Sequence, residues 1–374
     1  MRKYMYVVVI IFVIIAKNDI GYCEKVDYHS LSPELTEIQN LLDKNKDVFY
    51  NVLDKTPKEM IKELLCGQFK FSLKNFVSSI IKLLFNEVRN NVKILIKLSL
   101  VAILSAILQN VKSSFCKDDL GRVSFYACNM VAITILLKCF NNCVLITQNV
   151  VDDVNIFSHV VVPISTSLMV SCGDIVRVSA VKPFVLYGIS IIVYVIKKVS
   201  LPLIYLSTVL EVLNSVTSRV ELSKMSKLIK SVAYFVGGFV LTVFIGVVTI
   251  KGSTANLIDG ITGKTAKYMF GACIPVVGKY LSDIADSVVG SLMLIRSVIG
   301  IASVIGIVLV CVMPILKLVA VVFVLKIMEA TLEPVVDKKF TQLIGEVTSS
   351  ISSMIGVVFL SSVIIILSIT VLIK

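Results

Sequence analysis

Four stretches of this chain, 154–173, 231–250, 297–316 and 347–373, run for at least 20 residues without one Asp, Glu, Lys or Arg. A helix needs about 20 apolar residues to cross a hydrocarbon core, and a water-soluble fold has no place for four such runs. Composition agrees: 56% hydrophobic residues exceed the roughly 45–50% of soluble domains, with 17% charged residues and a mean hydropathy of +0.92. The chain is therefore read as all-α, a polytopic helical membrane protein. Within lipid a lone segment can satisfy its own backbone N–H and C=O groups only as a helix.

The N-terminus reads differently. Arg2 and Lys3 precede a short apolar run, 4–16, followed by "NDIGYC". A basic start, an apolar run too short to span and small or turn-forming residues after it make a secretory signal peptide, assigned here to 1–23. Residues 24–90 form the next region, in which ten acidic side chains balance ten basic ones. That balance suits a small exported helical region. Ser32-Pro33 gives a helix start, and "TPKE" at 56–59 gives a capping box with Pro in the first turn. Gly67 supplies a stop. Phe76, Val77, Ile80, Leu84 and Val88 then recur at helical spacing, forming an apolar face that either packs within the region or lies on the membrane surface or a partner.

The remainder, 91–374, is the polytopic membrane domain. Weaker spans are expected over 98–111 and 123–137. The linker "KSSFCKDDLGR" between them is basic, whereas "TQNVVDDVN" after the second carries no Lys or Arg. The positive-inside rule makes the first cytoplasmic and the second external, in agreement with an exported N-terminus. Between 183 and 216 the interruption "KKVSLP" leaves open two spans or a helical hairpin, and Pro314 adds a similar choice. The expected total is seven to nine spans, about eight.

Several function classes are excluded by pattern. The formal charge of +12 is spread over loops and span ends without aromatic interleaving, which membrane orientation explains and nucleic-acid binding does not. Only His29 and His159 exist, with no metal-ligand spacing, and the sequence has no P-loop, G-x-S-x-G or G-x-G-x-x-G. Nine cysteines without a C-x-x-C argue against a metal site or disulfide framework, and Cys139 and Cys143 read as small packing residues on one helix face. No catalytic residue, cofactor or metal is expected.

Segment 251–290 stands apart. It is too polar for a clean span and too apolar for a loop, and it reads as broken or re-entrant backbone. Asp283 and Asp286 are three apart and Lys279 is four before Asp283, so all three share a helix face. Ionisable groups at membrane depth call for a partner or a wet cavity. Lys279, Asp283 and Asp286, together with Glu211, Arg296 and Glu329, are the candidates for a polar pore or subunit interface; Lys326 accompanies Glu329.

The blocks "LLFNEVRNNVKILIKLSLVAILSAILQNVKSSF", "LPLIYLSTVLEVLNSV", "FVLTVFIGVVTIKG", "GKTAKYMFGACIPVVGKYLSDIADSVVGS" and "LEPVVD" resemble, in the same order, segments of the stage III sporulation protein AE family. The resemblance runs from about residue 76 to the end. It implies a multi-pass protein of the mother-cell membrane surrounding the forespore, with its N-terminal region in the intermembrane space. It further implies a non-enzymatic component of a secretion-like channel complex, required for sporulation. The implied partners are the other proteins of its operon, including a secretion-type ATPase and ring-forming components, besides the lipid bilayer and a second copy of the chain. The residues alone also allow a secondary transporter that binds a coupling cation or proton at Asp283 and Asp286.

Overall fold

The computed structural model describes residues 33–43, 45–69, 72–115, 118–216, 222–273, 277–334, 336 and 338–373, with side chains outside 33–35, 108–126, 215–221, 251–286 and 373. The signal-peptide assignment thus lies outside the described residues. All regular structure described is helical. Three short helices, α1 (Pro33–Asp43), α2 (Lys46–Leu53) and α3 (Pro57–Leu65), precede the long α4 (Leu73–Phe115) and α5 (Asp118–Ser171). Then come α6 (Ile175–Val195), a π-turn (Ile196–Ser200), α7 (Leu201–Val216), α8 (Ser223–Cys273), α9 (Val277–Leu332) and α10 (Lys338–Ile373).

Local chemistry accounts for the ends. Thr56 accepts from the Glu59 N–H while the Glu59 carboxylate accepts from the Thr56 N–H at 2.9 Å, the expected capping box. The backbone bond lowers the Glu59 pKa, with help from the Thr56 hydroxyl. At the end of α5, Gly173 takes φ +96° and its N–H bonds to Val170 O, while Asp174 N–H reaches Met169 O. This paired closure needs a left-handed residue, and it returns the chain at once as an antiparallel helix.

Among the described residues, six helical stretches are long and apolar enough to cross a membrane, and several have residues enough for two crossings. Two junctions differ from expectation. "TQNVVDDVN" is not an external loop, because α5 continues through it without Gly or Pro to interrupt. "KKVSLP" is neither a loop nor a hairpin: Leu201 N–H bonds to Ile196 O, and this one-residue excess carries the helix past Pro202, whose ring would crowd the carbonyl four residues back.

Two antiparallel hairpins organise the bundle. In the first, Asp152 meets Lys197 and His159 meets Ser190, seven residues closer to the turn on both helices. In the second, α9 and α10 fold back on one another, with Glu329 against Gly345 near the turn and Arg296 against Leu372 at the far end. The second hairpin is the centre of the molecule. The most apolar windows of its helices are 61% and 56% buried, against 22% for both α4 and α8. α8 runs antiparallel to α6 and α7 and alongside α10, through Gly188 against Phe244 and Tyr234 against Ser353.

The short N-terminal helices join this core. Ile38, Leu42, Phe49, Met60 and Leu64 are almost fully buried, in one apolar cluster with the bundle, and α1 to α3 all contact α9. Of the expected α4 face, Phe76 is buried and Ile80 packs on the core, whereas Val77 points outward with Ile81 and Phe85.

Candidate functional site

Charge enters the bundle at separate levels. At the α5–α6 turn, Arg296 Nη1 donates to Asp174 Oδ2 at 2.6 Å and Nη2 donates to the Leu372 carbonyl at 2.8 Å. Arg177 Nη2 donates to the Val371 carbonyl. The last four carbonyls of a helix lack intrahelical partners and carry the negative end of its dipole. Two guanidinium groups therefore cap α10, and Asp174 holds one of them in place.

A second cluster joins α7, α8 and α10. The Glu211 carboxylate, 3% exposed, accepts from Lys230 Nζ at 3.0 Å. Ser226 Oγ lies 3.3 Å from Oε1, and Ser350 Oγ lies 3.2 Å from Oε2. Lys230 also donates to Ser349 Oγ at 3.3 Å, and Glu346 is close enough to interact with both Glu211 and Lys230. Ser207 Oγ donates to the Ser226 carbonyl, and the Asn214 side chain accepts from the Leu222 N–H at 2.9 Å, so the return from α7 to α8 is fastened at both ends. Both carboxylate oxygens are thus occupied, and Lys230 has two acceptors. The arrangement is a closed clamp between three helices.

The Asp152 carboxylate accepts from Lys197 with both oxygens, at 2.7 and 2.8 Å. Glu329, with its side chain 31% exposed, pairs with Lys326 at 3.1 Å. Its Oε1 lies 2.6 Å from where a Cβ on Gly345 would sit, so that glycine makes the room.

The structure therefore does not gather Glu211, Arg296 and Glu329 into one site. Their contacts at Ser350 and Leu372 put Glu211 and Arg296 about 33 Å apart along α10. Lys279, Asp283 and Asp286 lie on the helical backbone of α9, with side chains outside those described. Within 251–290, α8 is helical to Cys273 and α9 begins at Val277, and 274–276 lie outside the described residues. Sequence reasoning missed Asp174, Ser226, Lys230, Ser349, Ser350 and Glu346. One signal was present: "TSSISS" at 348–353 puts four serines into an otherwise apolar run.

The family described as stage III sporulation protein AE matches residues 55–374. The chain belongs to this family. The matched part takes in every helix from α3 onward, and with them both charged clusters. Stage III sporulation protein AE of Bacillus subtilis (strain 168) is 26% identical over 322 residues, covering 86% of this chain and 81% of that protein. No solved structure matches. Family membership carries a role in sporulation, and the described residues form an all-helical protein with six candidate membrane-crossing helices.

Proposed function

We propose that the chain is a non-enzymatic membrane core component of a multiprotein, secretion-like channel between mother cell and forespore. It resides in the mother-cell membrane around the forespore, with its N-terminal region towards the intermembrane space. Other products of its operon, among them a secretion-type ATPase and ring-forming proteins, supply energy and enclosure. The observation that carries this reading is the family match across all of the candidate membrane-crossing helices. The clamped state of Glu211 and Arg296 favours a rigid scaffold, since neither side chain is left open to a solute. Segment 251–290, with Lys279, Asp283 and Asp286, faces the conduit or a neighbouring subunit.

Purified protein reconstituted alone in liposomes should move no solute under an ion or proton gradient. Gradient-driven uptake by the lone chain would overturn the reading in favour of a secondary transporter. Asp283→Asn with Asp286→Asn should impair complex assembly in sporulating cells, and normal assembly and spore yield would remove those residues from the interface.

A further inference from the structure

The outward surface of α1 and α2 is of the wrong kind for its depth. Asp174 and Asp152 are 22 residues apart on one helical hairpin, about 33 Å along the axis, close to the roughly 30 Å of a hydrocarbon core. Arg296 shares the Asp174 level. From Arg296, Gly306 lies ten residues along α9, about 15 Å into this band. Leu42 Cδ2 occupies the place of a Cβ at Gly306, 2.4 Å from that position, and Phe157 lies beside it at 3.2 Å. Phe157 is five residues from Asp152, about 8 Å inside the opposite limit. The end of α1 is thus seated within the band from either reference.

Its outer side is polar. Glu37, Asn40 and Asp43 on α1 are exposed, as are Lys46, Asp47 and Asn51 beyond it, while Ile38 and Leu42 face inward. Asp43 directly follows Leu42, so its Cα is within about 4 Å of that of a residue buried in the band. Elsewhere at this depth the outside is apolar: Phe235 and Phe239 on α8 are 71% and 58% exposed, and Tyr194 and Ile191 on α6 also face out. Carboxylates and amides directed at acyl chains are costly and persist only beside water or protein.

We propose that the outer face of α1 and α2 borders a water-filled space inside the membrane thickness, so that this side of the molecule lines the aqueous passage while α4, α6 and the Ser223–Ile250 part of α8 face lipid. This deepens the conduit reading and rests on it only for what the passage carries. The wall is then built by an amphipathic layer laid on α9, with apolar residues turned to the bundle and charge to the water.

Two measurements on the full chain in lipid nanodiscs test it. In a background with the native cysteines replaced, Leu42→Cys with Gly306→Cys should form a disulfide on mild oxidation, which reads the docking itself. Separately, Asp43→Cys and Glu37→Cys should react with a membrane-impermeant maleimide at least tenfold faster than Phe235→Cys or Phe239→Cys. A spin label at Asp43→Cys should likewise be relaxed by a water-soluble nickel chelate more than by oxygen dissolved in the lipid. Failure of the cross-link, in protein that elutes as the parent does, overturns the proposal, as does an Asp43→Cys label that reports lipid. Neither failure touches the conduit reading, which falls instead to solute uptake by the lone chain.

Discussion

Two layers flank the central α9–α10 hairpin, and they are held and faced in opposite ways. The α8 layer is fastened from within by an ion pair, Lys230 to Glu211, and presents phenylalanines to the outside. The N-terminal layer, α1 to α3, is fastened by apolar side chains such as Ile38, Leu42 and Met60 and presents charge. A membrane explains both. Where the outside is lipid, apolar surface gains little by turning inward, so association relies on polar contacts and close packing. Where the outside is water, burying apolar area is itself the driving force. The comparison teaches that one bundle can be wet on one side and dry on another.

The largest effect should come from the clamp. Lys230→Ala leaves Glu211 buried and uncompensated, a loss of about 3–5 kcal/mol, seen as a lower unfolding midpoint in nanodiscs. Glu211→Leu with Lys230→Met should recover most of it, and a double variant as weak as the single would make the clamp ordinary packing. Next comes the lipid face. Phe239→Asp should cost about 2.5–3.5 kcal/mol and lower membrane yield, whereas Asn40→Asp on the N-terminal layer should change neither stability nor yield. Equal penalties would break the contrast between the layers.

Smaller effects sharpen the attachment of α1. Gly306→Leu meets Leu42 and Phe157 together and should cost about 1–3 kcal/mol through overpacking. Limited proteolysis should then cut within α1 to α3 first, leaving α8 protected. Smallest is the cap: Thr56→Ala should lower stability by about 1 kcal/mol. The Glu59 pKa is lowered in the folded state, so its contribution is fully present above the ordinary value of 4.5 and fades as pH falls through the lower folded value. In Glu59→Gln that acid-side slope should flatten, whereas Thr56→Ala keeps the backbone N–H and should remove only the smaller share of the hydroxyl; an unchanged slope in Glu59→Gln would assign it to other carboxylates.

Much of this was legible in the residues, for reasons that differ by position. The uncharged runs at 154–173, 231–250, 297–316 and 347–373 lie on long helices, apart from Cys172 and Gly173 in the turn that closes α5, because backbone hydrogen bonding in lipid leaves a single segment no alternative. The capping box at Thr56 is local chemistry, complete within four residues. "TQNVVDDVN" misled because charge resembles a loop signal, yet Asp152 has its cation 45 residues away on the partner helix. Glu211 and Arg296 were found as ionisable groups in apolar surroundings, but their partners lie up to 139 residues off, beyond any reading of spacing.

Hydropathy by itself determined that this chain is a bundle of membrane-length helices, since the transfer of apolar side chains and the pairing of backbone groups depend on each segment alone. Only the tertiary structure decided which charges close on one another and which helix faces are left polar or apolar on the outside. Those outcomes depend on side chains brought together across the bundle, and a pairing between distant helices leaves no period in the sequence.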